Sequence, residues 1–172
     1  MEYISINELS HFEFHDAVIA TIGFDDKHMT WEVSDVNATT KNTQNKFDED
    51  MCIENASIVF EEVSIESIIF GAYTVHSADG ILLESKEATT ADPSEYATIL
   101  ENTCGSYCYI YSMEELPAND KNQYRVCFNI DGGADDYDLT MGFAKSIVTW
   151  NKFSGIAWYE SEEWKKRRME KA

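Results

Sequence analysis

Apolar and polar residues alternate with a period of two along most of this chain. The clearest early series lies on both sides of the turn residues 25–27 and consists of Val18, Ala20, Ile22 and Phe24, followed by Met29, Trp31 and Val33. Successive side chains of a strand point to opposite faces, so this series predicts an antiparallel hairpin with one apolar face. The polar stretch that follows, residues 37–51, is predicted to be a long surface loop.

The second half of the chain repeats the pattern more strongly. Two alternating series, Tyr124, Val126, Phe128, Ile130 and then Tyr137, Leu139, Met141, Phe143, lie on either side of a connection that contains Gly132 and Gly133. Such a connection between two alternating runs is typical of a β-hairpin. Further strands are predicted over 56–65, 67–75 and 81–84, with a sharp bend near Glu61-Glu62, where the apolar parity changes. A brief helical turn is expected from Pro93.

These elements predict one all-β domain over residues 1–172, mainly antiparallel, with eight to ten strands. A sandwich or a partly closed barrel is the architecture expected of such a chain. A short helix over 161–171 is predicted to close it. Ser161 is a suitable N-cap, acidic residues follow it, and a basic cluster lies at the other end, an order that complements the helix dipole.

The acidic net charge of the chain limits the classes of molecule that it can bind. The chain has 32 acidic and 13 basic residues, a formal net charge of -19, while 44% of its residues are hydrophobic and 13% aromatic. Five of the basic residues lie in the last eight positions, so residues 1–164 hold 8 basic and 31 acidic residues, a net of -23. The aromatic content indicates a folded chain rather than an acidic disordered one. Such a surface repels nucleic acid and anionic membranes and favours either solubility alone or a basic protein partner.

The apolar stretches, the first residues and the cysteines of the chain predict its cellular compartment. No stretch approaches the roughly 20 apolar residues of a membrane span, and the first residues do not resemble a secretory signal, so a cytoplasmic protein is expected. Four cysteines are present: Cys52, Cys104, Cys108 and Cys127. In that compartment they are expected to be reduced thiols, and only Cys104 and Cys108 are spaced as half of a zinc site.

One short segment contains residues suited to metal chemistry. On a strand, His11, Glu13 and His15 would share one face, and imidazole and carboxylate are ligands for zinc, iron or manganese. The alternative is that Phe12 and Phe14 enter the core while the three polar residues form a solvated surface, and this alternative is favoured. No metal or other cofactor is therefore expected. No nucleophile elbow, phosphate-binding loop or dinucleotide motif occurs, so the pattern favours a binding protein over an enzyme.

Aromatic residues supply the candidate binding surface. Tyr107, Tyr109 and Tyr111 are predicted to share one strand face, and tyrosine suits protein contacts because it combines area with a polar tip. Trp150 and Trp158 belong to an unusually aromatic segment, residues 150–159. A sheet interior would also explain the tyrosines, and anchoring of the closing helix would explain the segment.

The segments Phe14-His15-Asp16-Ala17-Val18-Ile19 and Gly155-Ile156-Ala157-Trp158-Tyr159 resemble those of small acidic bacterial proteins of uncharacterised families. Some of these are described as immunity proteins of polymorphic toxin systems. The resemblance, with the charge, implies a cytoplasmic bacterial binding protein that inhibits a basic toxin or nuclease. An alternative is a sandwich or barrel that binds a small ligand in an aromatic-lined cleft, and an enzyme built around His11, Glu13 and His15 is a third.

Overall fold

A computed structural model describes residues 2–25, 27–105, 107–118, 123–133, 135–162 and 166. The strands are β1 (Tyr3–Ile6), β2 (Phe12–Glu13), β3 (Ala17–Phe24), β4 (His28–Ala38), β5 (Met51–Glu61), β6 (Ser64–Phe70), β7 (Tyr73–His76), β8 (Leu82–Lys86), β9 (Thr89–Thr90), β10 (Tyr109–Leu116), β11 (Tyr124–Asp131), β12 (Tyr137–Phe143), β13 (Lys145–Trp150) and β14 (Phe153–Ile156). One α-helix, α1 (Tyr96–Asn102), and three short 3-10 helices, Leu9–His11, Pro93–Glu95 and Trp158–Glu160, complete the described elements. The closing helix predicted over 161–171 falls mostly on positions outside these ranges.

The fold is all-β and antiparallel, as predicted. The main sheet has the order β1-β13-β5-β4-β3-β10-β11-β12-β6-β9, with β2 beside β4 and β14 beside β5, while β7 and β8 form a separate two-stranded ribbon. The path does not return to its start, so the described strands do not close into a barrel. Both predicted hairpins are confirmed, because β3 pairs with β4 and β11 pairs with β12.

The sheet folds back on itself around one hydrophobic core. Strand β5 bends into β6 at Glu62, which has a positive φ of 56°, and this confirms the bend predicted near Glu61-Glu62. The β12 strand likewise continues into β13 through Ala144. As a result, Trp31 of β4 packs against Phe128 of β11 with ring centroids 4.7 Å apart. The two halves of the sheet therefore face each other as the layers of a sandwich do.

Several boundaries differ from the sequence-based expectation. The strand expected over 67–75 is divided between β6 and β7, which belong to different sheets. Strand β4 runs to Ala38, so the loop expected over 37–51 covers only 39–50. The helical turn expected at Pro93 leads into α1, which Tyr96, Ile99 and Leu100 anchor in the core. Asp92 begins this helical segment with a capping box, in which its side chain accepts from the Ser94 N–H and its own N–H donates to Glu95. Within the described ranges, no helix is long and apolar enough to cross a membrane.

Candidate functional site

The β4–β5 hairpin exchanges its two faces half way along its length. In β4 the buried series Met29, Trp31, Val33 is followed by Val36 and Ala38, and in β5 the series Met51, Ile53 is followed by Ala56, Ile58 and Phe60. Both changes lie between the register pairs Ser34–Asn55 and Val36–Ile53, where Asp35 adopts a positive φ of 61°. Beyond this point, Asn37 and Cys52 lie between core residues. Their side chains therefore belong to the outer face of the sheet.

A row of residues crosses four strands on that outer face. Glu13 of β2 lies opposite Asn37, Asn37 lies opposite Cys52, and Cys52 lies opposite Gly155 of β14. Directly opposed residues of neighbouring strands share a face. A Cβ added at Gly155 would meet no heavy atom within 4 Å, so space is open at this end of the row.

A groove of about 650 Å³ lies over this row. Asn37 and Cys52 line it together with Val18 and Tyr109 on one side and β14 on the other. A neighbouring cleft of about 360 Å³ is lined by Glu13, His15, Tyr111, Trp158 and Tyr159. Since Trp158 lines both, they form one surface, called here the outer groove.

The outer groove is acidic. Glu13, Asp16 and Asp35 lie along it, and its described lining residues include neither lysine nor arginine. Asp16 and Asp35 both adopt left-handed backbone conformations, with φ of 66° and 61°, which Asp and Asn tolerate better than most residues. A cationic group would therefore find three carboxylates along this surface.

Aromatic rings form the other end of the outer groove. Trp158 is 47% exposed and meets Tyr159 edge to face, with ring centroids 5.5 Å apart. The Tyr159 hydroxyl donates a 3.0 Å hydrogen bond to Asp50, and burial together with this carboxylate raises the pKa of Tyr159. His15 packs against Tyr111 at 5.1 Å, and its Nδ1–H donates to the Tyr111 carbonyl oxygen at 2.9 Å. These contacts hold the rings in place before any ligand arrives.

Asn37 is the unusual residue of the floor. Its side chain is 2% exposed, and its Oδ1 atom is buried with no hydrogen-bond partner among the described residues. A buried acceptor that lacks a donor costs about 1–3 kcal/mol, because water no longer solvates it. Asn37 thus lies under the outer groove with an acceptor that is covered by the protein and unpaired.

Of the predicted binding residues, the structure brings three to the outer groove: Tyr109, Tyr111 and Trp158. Tyr107 is 83% exposed but precedes β10 and lies outside the groove lining, and a register shift between Ile110 and Ser112 interrupts the expected tyrosine face. Trp150 lies in the core at 3% exposure, stacked on Tyr3 at 5.2 Å. It packs the interior because it shares the buried face of β13 with Ser146 and Val148.

The three candidate metal ligands do not share a strand face. The β2 strand contains only Phe12 and Glu13, His11 lies in a 3-10 helix with its Nδ1 3.8 Å from Glu8, and His15 lies in a turn. The shared strand face expected for His11, Glu13 and His15 is therefore wrong. Phe12 and Phe14 are buried, at 5% and 2% exposure. Within the part of the chain that the structure describes, no group of three or more His, Cys, Asp or Glu residues is placed to hold a metal ion.

Sequence reasoning missed the floor of the site. The sequence pattern places Asn37 in a loop and assigns Cys52, Asp35 and Gly155 no role at a site. One sequence feature could have found them, namely the change of apolar parity from Val33 to Val36, which predicts a face exchange in β4. The chain matches no protein-family model, no curated protein and no solved structure.

Proposed function

We propose that this protein binds a basic protein partner through the outer groove, as an immunity-type inhibitor of a cationic toxin or nuclease. The observation that supports it best is the composition of the groove, in which three carboxylates and exposed aromatic rings occur with neither lysine nor arginine among the described lining residues. A basic segment of a partner complements such a surface in charge.

The net charge of the whole chain also favours a basic partner. With a formal net charge of -19, the protein attracts a cationic partner over distances longer than a contact. Complementary charge of this kind increases the association rate and discourages partners of like charge. A nuclease has a cationic surface that binds its anionic substrate. An acidic protein bound to that surface blocks the substrate.

The aromatic rings of the outer groove can slow dissociation, which charge alone does not. Rim charges mainly change association, whereas well-packed aromatic anchors set dissociation. Trp158 and Tyr111 are 47% and 57% exposed and lie beside the carboxylates, so they can pack against the stem and the charged head of a lysine or arginine.

The experiment that tests this proposal fills the groove without disturbing the fold. Gly155→Gln introduces a long side chain at a position where a Cβ meets nothing within 4 Å, and Gly71→Gln makes the same change in equally open space outside the groove lining. The two variants and the wild type are used as bait in the native host's lysate, and recovered proteins are identified and their binding remeasured with purified components.

We expect the wild type and Gly71→Gln to bind one basic protein equally, and Gly155→Gln to bind it at least about tenfold more weakly. Equal binding by all three would place the interface elsewhere and contradict the proposal. Recovery of a small molecule instead, lost only from Gly155→Gln, would replace it with the small-ligand alternative.

A further inference from the structure

We propose that two copies of this protein pair through the β7–β8 ribbon, residues 73–86, with the β8 strand of one copy antiparallel to the β8 strand of the other. The two ribbons would form one four-stranded sheet around a two-fold axis. The described ribbon residues line neither part of the outer groove, so this inference is independent of the proposed function.

The ribbon is the outer part of one long hairpin. Phe70 lies opposite Thr89 at the edge of the main sheet. Tyr73 lies opposite Lys86 in the same register, so the two strands of the hairpin continue past that edge. The neighbouring strand β12 begins at Tyr137, which pairs with Phe70. The ribbon therefore extends beyond the main sheet, and among the described strands β7 and β8 pair only with each other.

The ribbon is held at its base and at its turn. At the base, Lys86 Nζ lies 2.6 Å from Asp135 and 5.5 Å from the centroid of the Phe70 ring. At the turn, the Ser77 N–H donates a 2.8 Å hydrogen bond to the Ile81 carbonyl oxygen. A two-stranded hairpin without further contacts is only marginally stable in water. A further strand beside this ribbon would therefore stabilise it.

The apolar side chains of the ribbon face solvent. Ile81, Leu82 and Leu83 are 64%, 56% and 65% exposed. Tyr73 and Val75 on the other strand are 39% and 42% exposed. None of these five described residues belongs to the hydrophobic core or packs against it. Three consecutive exposed apolar residues are unusual in a folded chain unless they have a function, which indicates a surface that another protein covers.

The free edge of β8 favours a partner that adds a strand. No described strand pairs with the outer edge of β8, and such an edge is a template for another strand. The outer edge of β7 is less accessible at its base, because the Gly71 N–H donates to the Asp136 carbonyl oxygen of the β11–β12 connection. The β8 edge of a second copy is complementary to this one, since two identical strands pair antiparallel about a two-fold axis.

Charge favours a second copy over a basic partner at this surface. Between residues 73 and 85 the only charged residues are Asp79 and Glu84, and Glu84 accepts a hydrogen bond from the Tyr73 hydroxyl. A basic partner is attracted to the acidic surfaces of the protein rather than to this nearly neutral segment. Two chains that each have a net charge of -19 can pair only through a surface that keeps their acidic parts apart.

The ribbon is long enough to provide that separation. Its strands have four and five residues. Because a strand rises about 3.3 Å per residue, the strands with their turn extend about 15 to 20 Å. Two antiparallel ribbons would separate the main sheets of the two copies by about this length, and the screening length at physiological salt is about 8 Å. Repulsion between the copies is therefore largely screened when they pair in this way.

The size of the ribbon sets the expected affinity. Two paired ribbons would bury less than about 1,200 Å² in total, which is the range of weak and transient interfaces. We therefore expect a dissociation constant on the order of 10 to 100 μM. Each ribbon has one free β8 edge, so assembly should stop at two copies.

Sedimentation equilibrium of the whole protein tests the pairing. We expect a monomer–dimer equilibrium that is at least about threefold tighter at 0.5 M than at 0.05 M salt, because salt screens the repulsion between like charges. A basic partner at the outer groove should show the opposite salt dependence, so the two proposals fail separately. A protein that stays monomeric up to about 500 μM at both salt concentrations, or that assembles beyond two copies, would overturn the inference.

A pair of double variants locates the contact without changing net charge. Ile81→Gln with Leu83→Gln should weaken the dimer at least about tenfold. The control is Ile4→Gln with Ile6→Gln on β1, at the opposite edge of the main sheet, where the two side chains are 46% and 51% exposed. The control should dimerise as the wild type does, and thermal unfolding verifies that both variants fold. An equal or larger loss from the control would show that the contact is not the ribbon.

Hydrogen exchange tests the strand pairing without any variant. In a dimer joined through β8, the backbone N–H groups of residues 82–86 should exchange more slowly in concentrated than in dilute protein, whereas those of residues 3–6 should not change. A dimer in which exchange of residues 82–86 does not depend on concentration would contradict the pairing.

Discussion

At the scale of single residues, the core contains a buried hydroxyl pair whose direction can be assigned. The Thr103 hydroxyl donates to the Ile99 carbonyl oxygen at 2.9 Å, so the Tyr137 hydroxyl, 2.6 Å from Thr103 Oγ1, is the donor to it. Tyr137 is 1% exposed. Burial raises its pKa from the ordinary 10.0 to about 12, because the phenolate would lose its solvation.

This shift predicts how stability depends on alkaline pH. Below about pH 10 Tyr137 is protonated in both the folded and the unfolded chain, so its full contribution to stability is present. Between about pH 10 and about pH 12 only the unfolded chain ionises, and the contribution, on the order of 2 to 3 kcal/mol, is lost. We expect Tyr137→Phe to flatten the decline over that window.

Urea unfolding at a series of pH values from 8 to 11.5 or so measures this change. The matched control is Tyr124→Phe, which removes a hydroxyl from a ring that is 50% exposed. The stability of Tyr124→Phe should decline with rising pH as that of the wild type does. Parallel curves for Tyr137→Phe and the wild type would show that ionisation of this buried phenol does not determine alkaline stability.

At the scale of elements, the β11–β12 turn supports the wall of the outer groove. Gly132 has φ of 109°, and a Cβ added there would overlap the Tyr107 carbonyl oxygen and lie 2.9 Å from its carbon. The turn thus packs directly against the backbone that leads into β10. Tyr109, two residues further along, lines the groove, so the close approach at Gly132 helps to place that ring.

We therefore expect Gly132→Ala to destabilise the fold strongly. The control is Gly105→Ala, because Gly105 also has a positive φ, 98°, but an added Cβ meets nothing within 4 Å. The control should lose about 1 kcal/mol from backbone strain alone, and Gly132→Ala should lose about 2 kcal/mol more through steric overlap. Denaturant unfolding measures the free energy of unfolding of both variants. Equal losses would mean that the turn shifts to accommodate the added Cβ with little loss of stability.

Strand pairing was largely predictable from the sequence, and the site was not. Alternation identified β11 and β12 because the apolar parity does not change along either strand, and the residues from Val126 to Ile130 and from Tyr137 to Phe143 that have this parity are buried. Asn37 escaped detection because its face depends on the left-handed Asp35 and on a matching change in β5, which alternation within one strand does not reveal. Trp150 and Trp158 belong to one aromatic segment, but Trp150 lies on the buried face of β13 whereas Trp158 lies in a 3-10 helix beyond the last strand.

At the scale of the whole molecule, two contributions of charge can be separated. One is the net charge of -19, which acts on any cation at long range. The other is the local field of Asp16 and Asp35 at the outer groove. Both residues adopt left-handed backbone conformations that asparagine also tolerates, so Asp16→Asn with Asp35→Asn removes two charges with little strain.

The salt dependence of association tests which contribution governs recognition. The screening length falls from about 10 Å at 0.1 M to about 3 Å at 1 M, so the association rate with the basic partner should fall steeply as salt rises. We expect Asp16→Asn with Asp35→Asn to reduce both the low-salt rate and its salt dependence. The control is Glu62→Asn with Asp79→Asn, which makes the same change in net charge at exposed positions outside the groove lining.

Stopped-flow or surface-based kinetics with the purified partner measures the association rates of both double variants at the same salt concentrations. A larger effect of the groove pair supports local recognition, because net charge is equal in the two variants. Equal effects would mean that only total charge matters and that the groove carboxylates have no special position. A rate that ignores salt in every variant would show that the acidic surface takes no part in encounter, and the apolar contacts of Trp158 and Tyr111 would then have to account for binding.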